Sequence, residues 1–332
     1  MPRIRRLAWL LLTIALLVPV AGWLGYAHLR WPVAAAPREV VVGQGDNART
    51  LAASLARQGV GVPAWAFELA VRVRGDATRL RAGSFALDGP VTLRALIDEL
   101  VRGDATGREL RIVEGWNLRQ VRAALAAQPD LRRDLAGLTE AETLARLGAS
   151  EPSLEGLFFP DTYAYAPQAG ELSVLRRAYQ RQQAMLAQAW ERRRPGLPLR
   201  TPYEALILAS IVEKETGRPE DRREIAAVFV NRLRRGMRLQ SDPTTIYGLG
   251  EAFDGDLRRR DLAADTPYNT YVHAGLPPTP IAMPGLAALQ AALDPADSRA
   301  LYFVSRGDGT SHFSETLEAH NRAVRQYQQR AR

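Results

Sequence analysis

Residues 203–217 read YEALILASIVEKETG, and the larger part of the chain takes its character from this stretch. As a helix over 202–216 it sets Glu213 seven residues after Leu206 and four after Ala209, on their apolar face, while Glu215 points about 200° away. One carboxylate is singled out. Apolar neighbours desolvate it, and the helix C-terminus near Gly217 presents partial negative charge, so both favour the protonated form. A general acid working near neutral pH requires that form. The same three residues, Glu213, Lys214 and Glu215, also read as a polar helix end fraying into solvent.

Outward from this helix, the periodicity predicts helices at 171–193 and 220–235, the latter ended by Gly236. Upstream lie a strand at 109–113 and helices at 118–127 and 140–147. The segment LEGLFFPDTYAYAP (154–167) reads as an ordered, irregular loop. Downstream come SDPTTIYG (241–248), the proline-rich 266–285, a helix at 286–293, a strand at 301–304 and a terminal helix near 314–330. Long loops inside a compact domain are more often binding loops than filler. Residues 39–103 read as a smaller unit: a strand at 39–42, a helix at 48–58, another after Pro63, a strand at 80–87 and a helix at 93–101 closed by Gly103. The fold class is α+β. The expected divisions are 1–30, a cytoplasmic stub and transmembrane anchor; 31–38, a linker; 39–104, the small subdomain; and 105–332, the larger domain.

The anchor rests on Leu7 to Tyr26, LAWLLLTIALLVPVAGWLGY, an uncharged run of 20 residues that as a helix spans about 30 Å, the thickness of a bilayer core. Arg3, Arg5 and Arg6 precede it and keep the N-terminus in the cytoplasm, which sends everything after Arg30 across. A signal peptide cleaved near Ala34–Ala36 is the rival, with an h-region that would be too long. The formal charge is +8, of which Arg3, Arg5, Arg6 and Arg30 supply half. The remainder is unremarkable, and no nucleic-acid partner is expected. There is no cysteine, which excludes disulfides, thiolate metal sites and a cysteine nucleophile. His312 and His320 have no companion at a metal-binding spacing, so neither metal nor cofactor is expected.

Two further segments carry candidate chemistry. In LQSDPTTIYG (239–248), Asp242 before Pro243 has the form of a helix N-cap. Gln240, Thr244 and Tyr247 make a polar and aromatic cluster of the kind that holds sugar hydroxyls and pyranose faces. Tyr268, Asn269 and Tyr271 precede GLPPTP (275–280), a proline rail that could line a groove or serve as a rigid connector.

Taken in order, EGW (114–116), LEGLFFPDTY (154–163), ILASIVEKET (207–216), VFVNRLRRGMRLQSDPTTIYG (228–248), YNTY (268–271), GLPPTPIAMPG (275–285) and SHFSETLEAHN (311–321) resemble the YceG-like family of endolytic murein transglycosylases. The resemblance covers about two hundred residues in family order. It implies a LysM-like subdomain matching the 39–104 unit, a C-terminal catalytic domain outside the inner membrane, and peptidoglycan glycan strands as substrate. Partners among the synthases of elongation or division are implied as well. It also makes Glu213 the catalytic acid and base, and beside it the chemistry of the two segments above offers Gln240, Asp242, Thr244, Tyr247, Tyr268, Asn269 and Tyr271 as sugar-binding candidates. Met283 departs from the asparagine common at its position. Two other readings of the residues stand beside this one: a membrane-anchored glycan-binding scaffold that cleaves nothing, and a hydrolase pairing Glu213 with Asp242 or Glu155.

Overall fold

The computed structural model describes Val33 and residues 39–43, 45–87, 91–102, 108–166 and 168–327. The expected transmembrane run at 7–26 and all of the linker but Val33 lie outside them. Among the described residues no helix is long and apolar enough to cross a membrane. The fold is mixed α+β, with three two-stranded sheets among many helices. The chain divides into two compact units, one of residues 1–110 with 130–132 and 164–169, the other of 111–129, 133–163 and 170–332.

In the first unit β1 (Glu39–Val42) pairs antiparallel with β2 (Gly83–Ala86), Val40 opposite Phe85. Side chains alternate across a strand, so Val40 and Val42 face inward. Between the strands run α1 (Ala48–Arg57), opened by an Asn47–Thr50 capping box, and α2 (Ala64–Val73). Helix α3 (Leu93–Arg102) adds Leu93, Leu96, Ile97, Leu100 and Val101, whose spacing of three and four makes one apolar stripe. These side chains share a core with Leu51, Leu55, Phe67 and Phe85.

The chain passes from the first unit into the second through β3 (Arg108–Arg111), and the second unit continues with α4 (Leu118–Ala126) and α5 (Glu140–Leu147), each begun by a capping box and the latter closed by Gly148 in the left-handed region. The 154–167 segment, expected to be irregular throughout, contains β4 (Thr162–Tyr165), the partner of β3. Then come α6 (Glu171–Glu191), α7 (Pro202–Glu215) and α8 (Pro219–Arg234). Helix α7 is the axis of the unit. Every residue from Ala205 to Val212 is buried, because α6 and α8 pack on it together with α9 (Asp242–Leu249) and α11 (Leu286–Leu293). A helix apolar on all sides belongs inside a core. Its start is fixed by Thr201, whose hydroxyl accepts from Glu204 N at 3.2 Å, with Pro202 following. It stops at Glu215 because Thr216 is extended, not because Gly217 turns left-handed.

Beyond α9 a single 3-10 turn (Gly250–Ala252) leads to the short α10 (Arg259–Leu262) and on to α11. The C-terminal part is a β5–β6 hairpin (Tyr302–Ser305, Ser311–Ser314) backed by α12 (Leu317–Tyr327). Buried Arg232 of α8 holds this layer in place: its Nε donates to Leu301 O at 2.7 Å and its Nη1 to Leu239 O at 2.5 Å.

Candidate active site

Glu213 stands at the last turn of α7, where the buried stretch ends and the side chain is half-exposed. Its Oε2 accepts a hydrogen bond from Gly285 N at 2.9 Å, and its Oε1 has no partner among the described residues. Burial pushes the carboxyl above the ordinary carboxylate range. The Gly285 hydrogen bond opposes that rise, Glu114 adds to it, and the charges of Arg222 and Lys214 oppose it.

Gly285 is where it is because two loops interlock beside α7. The turn at 114–116 has Gly115 at φ +76°, with Gly115 N donating to Met283 O at 2.9 Å and Met283 N to Trp116 O at 2.6 Å. Ser210, wholly buried on α7, accepts from Ile281 N at 3.0 Å and donates to Ile207 O. Glu114 presses on the other side of Gly285, where any Cβ would overlap its carboxylate. Lys214 Nζ donates to Gly115 O at 3.3 Å. Met283 is fully buried, so its role is packing. The 154–163 segment joins the same assembly: Gly156, at φ +78°, lies so close to Pro280 that a Cβ would sit 2.4 Å from the proline ring.

Glu155 is buried beneath this surface and holds distant segments together. Both its oxygens lie 3.0 Å from Leu118 N at the start of α4, and Oε2 also accepts from Tyr247 Oη at 3.0 Å. Desolvation raises its carboxyl to about 7 despite these bonds and one from Gly156 N. The Tyr247 ring meets Tyr268 edge-on at 4.8 Å, and Tyr268 Oη shares a hydrogen bond with Thr279 Oγ1. Glu215, on the far side of α7 from Glu213, is not a fraying end. It accepts from Ser241 Oγ at 2.5 Å, and its carboxyl is likewise raised to about 7, by burial first and by Asp242 nearby.

Ser241 also corrects the expected start of α9. The N-cap position is Ser241 rather than Asp242. Asp242 lies in the first turn, and its Oδ1 accepts from Tyr271 Oη at 2.6 Å, while the Ser241 hydroxyl is committed to Glu215. Among the remaining candidates, Gln240 is exposed and held at φ +49°, a left-handed conformation unusual for a residue with a side chain. Thr244 and Asn269 have no accessible surface. Thr244 Oγ1 donates to Ser241 O, and Asn269 Nδ2 donates to the carbonyls of Asp261, Leu262 and Ala264 while its Oδ1 accepts from Thr245 Oγ1 and Tyr271 N. These two side chains set the shape of the loops. Tyr247, Tyr268 and Tyr271 are half-exposed and can meet a ligand directly. Glu114 and Gly285 were not singled out as site residues from the sequence, although EGW and MPG lie in the segments that carry the resemblance.

A YceG-like family model matches residues 40–326 of the chain. The endolytic murein transglycosylase of Bacillus subtilis (strain 168) is 31% identical over 304 residues, covering 86% of this chain and 83% of the relative. The endolytic murein transglycosylase of Streptococcus pneumoniae serotype 2 (strain D39 / NCTC 7466) is 27% identical over 94% of this chain, which spans 63% of that protein's length. Among solved structures, a yceG-like protein of Listeria monocytogenes superposes with a TM-score of 0.55 at 29% identity, covering 86% of this chain and 97% of that one. The segments that converge around Glu213 and Glu155 all fall inside the matched span, and the chain belongs to the YceG-like family.

Proposed function

We propose that this protein is an endolytic lytic transglycosylase of peptidoglycan in which Glu213 acts first as acid and then as base. The observation that carries the proposal is the asymmetry of its carboxyl group: Gly285 N–H fixes Oε2, and Oε1 remains free to bear the proton. That proton passes to the glycosidic oxygen between N-acetylmuramic acid and N-acetylglucosamine as the C1–O bond breaks. The resulting carboxylate then takes the proton of the muramoyl C6 hydroxyl, which closes on C1 to leave a 1,6-anhydro end without water. The raised pKa supports the first step, and Gly285 N–H, which favours the charged form, supports the second. Two relatives that carry the name endolytic murein transglycosylase support the substrate.

Gln240, Asp242, Tyr247, Tyr268 and Tyr271 form the sugar-facing wall in this proposal, and Thr244 and Asn269 hold that wall's shape. The proposal extends to an anchor at 7–26, a LysM-like glycan-binding unit at 39–104, a catalytic unit at 105–332 outside the inner membrane, and synthases as partners. The uncharged run behind three arginines supports the anchor, and the separate core supports the 39–104 unit.

One observation favours a second reading. Glu114 lies against the same glycine as Glu213 and would be the second carboxylate of a hydrolase. Mass analysis of muropeptides decides, using sacculi incubated with the full-length protein in detergent and water enriched in heavy oxygen. Anhydromuramoyl ends without label are expected. Labelled reducing ends would replace the transglycosylase with a hydrolase. Glu213→Gln should fold, bind glycan and cut at least about 10³-fold more slowly, the upper part of what a positioned acid contributes. Near-normal release of anhydro ends by that variant would overturn the role of Glu213.

A further inference from the structure

A cavity of about 450 Å³ lies where the C-terminal end of α6 meets the first turn of α8 and the length of α11, from Leu286 to Asp294. The volume is that of a small-ligand site, about 300–1,000 Å³. Its lining holds Arg192, Arg222 and Arg223 against one acid, Asp294. Asp294 is already answered twice, by Arg223 Nη2 at 2.8 Å and by Arg194 at 3.2 Å. Arg222 is different. It has no ion pair or hydrogen bond among the described residues, and its Nε is buried with no acceptor.

Backbone polarity adds to the side chains. Pro219 and Leu286, the first residues of α8 and α11, both line the cavity, and neither helix has a side-chain cap on its free N–H groups. Helix N-termini favour anions. The acids of the first turn of α8 are directed elsewhere, Glu220 to Arg218 and Asp221 to Ser311 N. Leu286 follows Gly285, whose N–H holds Glu213, and the charge of Arg222 reaches Glu213. The lining thus begins one residue from the glycine that holds Glu213, which makes the cavity a neighbour of the proposed cleavage site.

We infer that the cavity binds the carboxylates of the peptide stem carried by the muramoyl residue, with Arg222 and Arg192 as the carboxylate-binding side chains. The inference rests on the proposed cleavage of peptidoglycan at Glu213 and names the part of the substrate that would identify the muramoyl ring. Guanidinium groups pair with carboxylates through two parallel hydrogen bonds, which suits a stem that presents several carboxylates in an extended chain.

The test compares full-length protein on glycan strands with intact stems and on strands stripped of them by an amidase. The wild type should show a KM at least tenfold lower on stem-bearing strands. Arg192→Gln and Arg222→Gln should each raise KM on stem-bearing strands about tenfold, the size of one charge-assisted hydrogen bond, so that the two substrates converge. A wild type that treats both strands alike, or variants that change KM on both by one factor, would overturn the inference. Binding of the free stem tripeptide L-alanyl-D-isoglutamyl-diaminopimelate, measured by calorimetry, should weaken in both variants. Displacement of nothing by the tripeptide together with tight binding of inorganic phosphate would make this a phosphate site and overturn it too. If neither strand gives anhydro ends, the proposed function fails, and the calorimetry still decides the cavity.

Discussion

Replacing Glu155 by glutamine should flatten the pH dependence of stability. The side chain is 2% exposed, and its carboxyl moves from an ordinary 4.5 to about 7 because burial penalises the charge more than Leu118 N, Tyr247 Oη and Gly156 N reward it. Between those two values the folded protein holds a proton that the unfolded chain has released, so stability falls as pH rises through the window and is constant above it. At about 1.36 kcal/mol per pH unit the whole effect is about 3.4 kcal/mol, of which about 2.5 kcal/mol falls between pH 5 and pH 8. Glutamine keeps the shape and cannot ionise. Its amide nitrogen, in place of one carboxylate oxygen, meets Leu118 N–H badly, a constant penalty at every pH, so the quantity to read is the change between pH 5 and pH 8 and not the absolute stability. Urea titrations of wild type and Glu155→Gln at the two pH values should show the variant losing about 2.5 kcal/mol less than the wild type. Equal losses in the two proteins would mean that Glu155 is ionised throughout, and the account of it as a protonated clamp would fail.

Two shorter predictions follow from the other carboxylates. Glu114→Gln removes a negative charge that resists ionisation of Glu213, so the alkaline limb of kcat/KM should move to lower pH. A limb that stays in place or moves upward refutes the coupling. Glu215→Gln keeps an acceptor for Ser241 Oγ and relieves the repulsion from Asp242, so it should keep most of the activity and gain stability above pH 7. Loss of cutting as deep as that of Glu213→Gln would show that the two sides of the last turn of α7 cannot be told apart.

Helix α7 was legible because its signals are local: a Thr-Pro start, an unbroken apolar run, and a carboxylate four and seven residues from apolar positions. The same local geometry set Glu215 on the opposite side of the helix, which is where it lies. What local geometry could not say is that the opposite side is also buried, since that depends on α8, α9 and α11 closing around it. Asp242 shows a local rule overruled. Asp-Pro is a sound N-cap signal, yet the cap position fell to Ser241, whose hydroxyl is drawn to Glu215 from 26 residues away. The strands β4 and β6 were missed for a different reason. Each has four residues, too short for alternation to stand out from the tyrosines and prolines of one and the serines of the other.

The three raised carboxylates around α7 differ in what their oxygens can still do, and that difference bears on which of them can act on a ligand. Glu155 has both oxygens facing Leu118 N and one also facing Tyr247. Glu215 is committed to Ser241 across a partly buried contact. A proton held in either place has no path to a group arriving from solvent without breaking the bonds that join loops far apart in sequence. Glu213 alone of the three has one oxygen fixed by a backbone N–H and the other without a partner among the described residues, on a half-exposed side chain. A carboxylate with a raised pKa is therefore not by itself a catalytic signature here, because two of the three serve to hold the loops. The distinguishing feature is the free oxygen beside a fixed one. It is produced by Gly285, whose missing Cβ leaves room for Glu114 on one side while its N–H serves Glu213 on the other. A side chain at 285 would displace Glu114 first, so Gly285→Ala should shift the pH profile in the same direction as Glu114→Gln while leaving the Glu213 hydrogen bond in place. A profile that moves the opposite way would separate the two effects and refute the link between them.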